Sequence, residues 1–157
     1  GVVSATVVQT DSTAYNVIPQ VVRLKGTARS LDPHVRDQLQ EGITRVATSV
    51  ATAFGAVAEV AYNRGYPVTV NHPDETGHAI EVARMISADV DTDVAPMMGG
   101  EDFSYMLEAR PGAYVFIGQG PGAGLHHPAY DFNDEIAPIG ASFFARLVER
   151  AQPAAVG

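Results

Sequence analysis

The feature that most constrains this chain is a change of apolar pattern at Asp32-Pro33. Before it, Val2 to Thr10 is rich in β-branched residues and Val21 to Ser30 alternates apolar with polar residues. Both read as extended strands, joined by a polar turn over Asp11 to Tyr15 and the short NVIP segment at Asn16 to Pro19. After it, Val35, Leu39, Ile43, Val46, Val50 and Phe54 recur every three or four residues. That spacing lays one apolar stripe along an α-helix. Asp32 suits the N-cap, Pro33 the first helical position, and Gly55 the stop.

Further along, Val57 to Tyr62 reads as a third strand, and Tyr66 to Val70 continues extended after the Asn63-Arg64-Gly65 break. Asn71-His72-Pro73-Asp74 is a turn cluster and a candidate domain boundary. Glu75 to Ser87 is expected to be a helix, burying Ile80, Ala83, Met85 and Ile86. Glu101 to Glu108 is expected to be a short helix, Ala113 to Ile117 a strand, Gly118 to Gly124 a loop, and Ile136 to Ala151 a terminal helix. Gln152 to Gly157 is expected to fray. No internal repeat is visible. Strands mixed with helices in this order give an α/β fold class in two segments.

Composition removes several function classes. The net charge is −8, and the ten Lys and Arg do not cluster. Phosphate recognition needs a basic surface, so neither nucleic acid nor an anionic membrane is an expected partner. No apolar run reaches the roughly 18 residues of a membrane span. There is no cysteine, which removes disulfides and thiolate metal sites and is compatible with a cytoplasmic home. The sequence begins GVVSATVVQT, with no basic n-region of a signal peptide. It opens straight into an expected strand, the pattern of a chain starting in mid-fold, although a processed start would look the same.

Three clusters could carry chemistry. GLHHPAYDFND, Gly124 to Asp134, gathers two His, two carboxylates, an Asn and a Tyr after a glycine-rich loop. Imidazole beside carboxylates is a normal contribution to a zinc site. A bare His-His pair is otherwise a solvated surface feature. MMGGEDFSYM, Met97 to Met106, places two glycines before a helix. Such a turn lets backbone approach a ligand and aims free N–H groups at an anion. It equally describes a plain helix start, with Glu101 and Asp102 favourable to the dipole. Asn16 and Arg29 pair a donor–acceptor amide with a guanidinium suited to carboxylates, yet each is routine in a turn or on an exposed strand. His34, His72 and His78 are expected to be solvated.

Four stretches together, AYNVIPQVVRLKGTARSLDP, RGYPVTVNHP, PMMGGEDFSYML and GLHHPAYDFNDEIAPIG, resemble the amidohydrolases that include hippurate hydrolase, aminoacylase and the indole-acetyl-amino-acid hydrolases. That family is related to the di-zinc carboxypeptidases. The match runs in the family's order over almost the whole chain. It implies an α/β metallopeptidase of two domains, with an inserted two-layer α+β lid that also serves dimerisation. Residues 1–70 would be the end of that lid, and residues 71–157 the C-terminal part of the catalytic domain.

The resemblance implies metal-dependent hydrolysis of N-acyl or N-aroyl amino acids by two divalent ions, Zn or Mn. His126 matches the last metal ligand, while His127 falls where the pattern is open. Asn16 and Arg29 match residues that hold the substrate carboxylate. Gly99 and Gly100 match a pocket-lining turn, with Glu101 beside it. The remaining ligands and the general-base Glu belong upstream in such enzymes, so no catalytic residue is expected in this chain, which alone would be inactive. A homodimer or homo-oligomer through the lid is implied. The alternatives are a non-catalytic binding or dimerisation module, and a peptidase of the same family acting on dipeptides. A part of a fold is also expected to expose apolar surface and to associate through sheet edges.

Overall fold

The structure, a computed structural model, describes residues 1–152. It divides into two compact units, Gly1–Val68 with Pro96–Glu101, and Thr69–Ala95 with the residues from Asp102 onward.

In the first unit, β1 (Val2–Thr10) pairs antiparallel with β2 (Val22–Arg29). The expected strand bounds hold to within a residue. The register slips between Ala5 and Val7, a bulge that leaves Thr6 without a partner. Gly26 lies opposite, where an added Cβ would strike the Ser4 carbonyl, so this position needs a residue without one. The polar turn behaves as read: Asp11 N–H donates to the Val21 carbonyl at 3.2 Å, and Val17 N–H to that of Ala14 at 3.3 Å.

Helix α1 (Pro33–Ala53) starts at Asp32, whose carboxylate accepts from the N–H groups of His34 and Val35 at 2.8 and 3.0 Å. It ends in a turn whose Gly55 has φ +71°, a left-handed value that glycine adopts freely. Val35, Leu39 and Ile43 are half-buried, whereas Val46 and Val50 are exposed and Phe54 is 85% exposed. The stripe is therefore covered only along its first turns. On the polar side Arg64 forks onto Asp37 at 2.5 Å and the Gln40 side chain at 2.9 Å. Arg36 donates to the Gly65 carbonyl at 2.8 Å. These bonds moor the following segment to the helix.

That segment corrects the sequence reading. Val57 to Tyr62 is not a strand, and neither it nor Tyr66 to Val70 has a ladder partner: among the described residues β1 and β2 form the one sheet. Alternation identifies extended chain, while a strand also needs a second strand to bond.

In the second unit, α2 (Pro73–Ile86) packs on α4 (Ala137–Ala151), which follows a 3-10 turn at Asp134–Ile136. Ala79, Val82 and Phe143 are buried between them, with Ala83, Ile86, Ala113 and Leu147 packed against the cluster. Glu81 and Arg150 close the helix pair with an exposed ion pair, a weak contribution beside the apolar contact. The expected helix is present, but Met85 is 61% exposed. It lies about 100° round the helix from Ile86, off the face that Ala79, Val82, Ala83 and Ile86 define.

Ala113 to Ile117 likewise has no ladder. Instead the Asn71 side chain stands in for a strand, donating to the Tyr114 carbonyl at 2.9 Å and accepting from its N–H at 2.7 Å. His72 N–H donates to the Gly112 carbonyl at 3.0 Å. Helix α3 (Phe103–Ala109) starts two residues later than expected and buries Ser104 and Leu107. Of the expected frayed tail, Gln152 closes α4, donating its N–H to the Val148 carbonyl at 2.9 Å, and residues 153–157 lie outside the described range. Among the described residues no helix is long and apolar enough to cross a membrane.

Candidate functional site

In the first unit, two motifs that the sequence keeps far apart come together. Arg29 ends β2, exposed, and its Nη1–H donates to the Met98 carbonyl at 2.5 Å across 69 residues of sequence. Met98 directly precedes Gly99 and Gly100. The guanidinium therefore sits beside the glycine turn, with further N–H groups beyond the one it uses here. Protein packing does not demand either glycine. A Cβ at Gly99 would meet nothing within 4 Å, one at Gly100 would rest 3.5 Å from the Tyr66 ring, and neither φ is positive. Open space over a glycine pair is what a ligand-lining turn requires. Glu101 follows, half-buried.

Asn16 lies at the tip of the β1–β2 connection and is exposed. No hydrogen bond joins it to the Arg29 group among the described residues. Its neighbours Tyr15 and Ile18 are also exposed, so the NVIP tip presents apolar and amide groups together.

In the second unit the two histidines of the His-His pair differ in conformation and bonding. His126 has φ +67° and is the one non-glycine residue with positive φ among those described. A side chain held in the left-handed region costs about 1–3 kcal/mol and persists where the surroundings enforce it, commonly at functional sites. Its imidazole is exposed and has no hydrogen-bond partner among the described residues. His127 differs: its Nδ1 accepts the Ala129 N–H at 3.0 Å, and its backbone closes turns to Gly124 and Tyr130 at 3.1 and 2.9 Å. One histidine is spent on shaping the loop, and the other is presented to solvent with both ring nitrogens available.

A free imidazole fits as one metal ligand. Among the described residues, however, no group of three or more His, Cys, Asp or Glu is arranged to hold an ion. A zinc site needs three or four protein ligands, so the described residues do not make one by themselves.

The other histidines divide. His34 and His78 are exposed as expected. His72 is half-buried, with Nδ1 3.2 Å from the Gly112 nitrogen, because it helps hold the segment that Asn71 pairs. Sequence reasoning took Asn71 only as part of a turn cluster and passed over Gln119, whose side chain meets Tyr130 and Asn133. A lone amide carries no periodic signal, and only the folded loop reveals its partners.

Comparison with known proteins places these features in a family. A model of peptidase family M20/M25/M40 matches residues 2–150. The putative amidohydrolase YhaA of Bacillus subtilis is 38% identical over 137 residues, covering 83% of this chain and 35% of its own length. The hippurate hydrolase of Campylobacter jejuni is 30% identical over 136 residues, covering 85% and 36%. Among solved structures, the YXEP protein of Bacillus subtilis, a dinuclear metal binding peptidase of the M20 family, superposes with a TM-score of 0.76 at 33% identity. That match covers 96% of this chain and 41% of that one. The chain thus spans about a third of the length of the curated relatives it matches.

Proposed function

The chain belongs to peptidase family M20/M25/M40, and from that premise we propose that it forms part of a metal-dependent hydrolase cleaving the amide bond of N-acyl or N-aroyl amino acids. Residues 1–70 are the end of a lid and dimerisation domain in this reading, and residues 71–157 the C-terminal part of the catalytic domain. A homodimer or homo-oligomer forms through the former, and the cysteine-free composition suits a cytoplasmic setting.

The observation that carries the reading is the Arg29 bond to Met98. It gathers a carboxylate-binding guanidinium and an open glycine turn from separate motifs. An amino-acid carboxylate accepts a charge-assisted bond from Arg29, Asn16 supplies a second amide contact, and Gly99 and Gly100 leave room for the chain beside Glu101. Holding the substrate by its invariant end fixes the scissile amide in place, which lowers the entropic part of the barrier. His126 contributes one ligand to the divalent ions, Zn or Mn. Those ions supply the Lewis acidity that polarises an amide carbonyl and makes water nucleophilic near neutral pH.

A second reading has one observation in its favour. One solved relative, the YXEP protein, is a peptidase, and a dipeptide carries the same carboxylate next to its amide bond. The test compares hippurate, its C-terminal carboxamide and a dipeptide as substrates of the protein carried on its full reading frame. The account expects hippurate to be cleaved and the carboxamide to lose at least tenfold in kcat/KM. That preference should disappear in Arg29→Ala. Faster cleavage of the dipeptide would favour the peptidase, and no cleavage of any of them the non-catalytic module.

A further inference from the structure

The loop that presents His126 is closed at its base by one side chain that the sequence did not mark. Gln119 leaves the extended segment through Ile117, and Asn133 opens the 3-10 turn before α4. Between them the chain runs out and back through His126. The Gln119 Oε1 accepts the Tyr130 hydroxyl at 3.2 Å and, at a long 3.5 Å, the Asn133 N–H. The Gln119 carbonyl accepts from Asn133 Nδ2 at 3.1 Å. Gln119 Nε2 reaches the Asp131 carbonyl at 3.5 Å. Asn133 is itself fixed, because its Oδ1 accepts the Glu135 N–H at 3.0 Å and so caps the turn. Gln119, Tyr130 and Asn133 are all half-buried, which makes these bonds harder for water to replace.

We propose that Gln119 is a positioning residue for His126. Its side chain clasps the two ends of the loop through Tyr130 and Asn133 and so holds His126 in its left-handed conformation. The link follows from energetics. A positive φ at a residue with a Cβ reverts unless its flanks are fixed. Nothing hydrogen-bonds the His126 ring among the described residues, so the fixing comes from the loop. The clasp supplies it on the far side of the His127 turn, where Tyr130 N–H donates to the His127 carbonyl. Supporting groups of this kind, which orient a ligand without touching the metal, set how much affinity the ligand delivers. The purpose assigned to the clasp rests on the reading of His126 as a ligand, while the clasp itself does not.

Two readouts separate these. The first is amide hydrogen exchange in the 157-residue chain, comparing Gln119→Ala and Gln119→Glu with the parent. Gln119→Ala is expected to speed exchange at His127 and Tyr130 roughly tenfold, as local opening becomes easier. Amides of α2 and α4 should keep their rates. Gln119→Glu keeps the Oε1 acceptor for Tyr130 and should recover most of the protection. Unchanged exchange at His127 and Tyr130, or equal acceleration throughout α2 and α4, would overturn the clasp. The second readout is a calorimetric Zn²⁺ titration of the same variants, and of His126→Ala, carried on the full reading frame. Gln119→Ala should weaken Zn²⁺ binding several-fold, and His126→Ala should weaken it further, by at least tenfold. A Zn²⁺ response indifferent to His126→Ala would overturn the ligand reading and with it the clasp's purpose. A response that needs His126 but ignores Gln119→Ala would overturn the positioning role alone.

Discussion

Two adjacent histidines of the same exposed loop have different chemistry because their backbones differ. His126 sits at φ +67° with a free ring, and His127 spends Nδ1 on the Ala129 N–H. Substitutions should separate them. His126→Gly removes the Cβ that makes this conformation costly and should leave thermal stability unchanged or slightly higher. His126→Val, β-branched, should lose about 1–3 kcal/mol, measurable by denaturant unfolding. Both should abolish metal-dependent activity in the full-length enzyme. His127→Ala should instead lower loop order while retaining most activity. In sequence the pair was indistinguishable by local chemistry, and the family pattern alone pointed to His126. A dihedral angle has no signature in composition or spacing, so the physical reason for the difference became visible only in the fold.

Elements were more legible than their partners. Helix α1 was readable from its cap to its stop because both signals are local: Asp32 bonds its own first turn, and Gly55 turns at its own φ. Asp32→Ala should therefore cost about 1 kcal/mol, seen as a lowered thermal midpoint. Strand identity was less legible, since β1 and β2 adjoin in sequence and find each other. Val57 to Tyr62, Tyr66 to Val70 and Ala113 to Ile117 have no neighbouring strand among the described residues. The α2–α4 contact gives the sharpest test of packing. Phe143→Ala should destabilise by about 3–5 kcal/mol, since Phe143 is buried against Ala79 and Val82. Met85→Ala, on the exposed side of α2, should change stability by less than about 0.5 kcal/mol. Comparable losses at the two positions would contradict the assignment of the α2 face.

Across the molecule, covered apolar surface is scarce. Among the described residues four apolar residues are buried, whereas Phe54, Phe144, Val148 and Leu125 are among many that are not. Helix α4 is apolar on two sides, with Phe143 and Leu147 against α2 and Phe144 and Val148 facing outward. Patches of this kind drive association in water, so the 157-residue chain should bind a hydrophobic dye and elute from a sizing column ahead of a 16.6 kDa monomer. Hippurate hydrolysis with added Zn²⁺ or Mn²⁺ would be measured for the protein carried on its full reading frame, for its His126→Ala variant, and for residues 1–157 alone. The account predicts metal-dependent turnover in the first and a loss of at least a hundredfold in the second. It predicts none in the third, whose described residues supply one candidate ligand. Turnover that survives His126→Ala, or that residues 1–157 sustain alone, would contradict it.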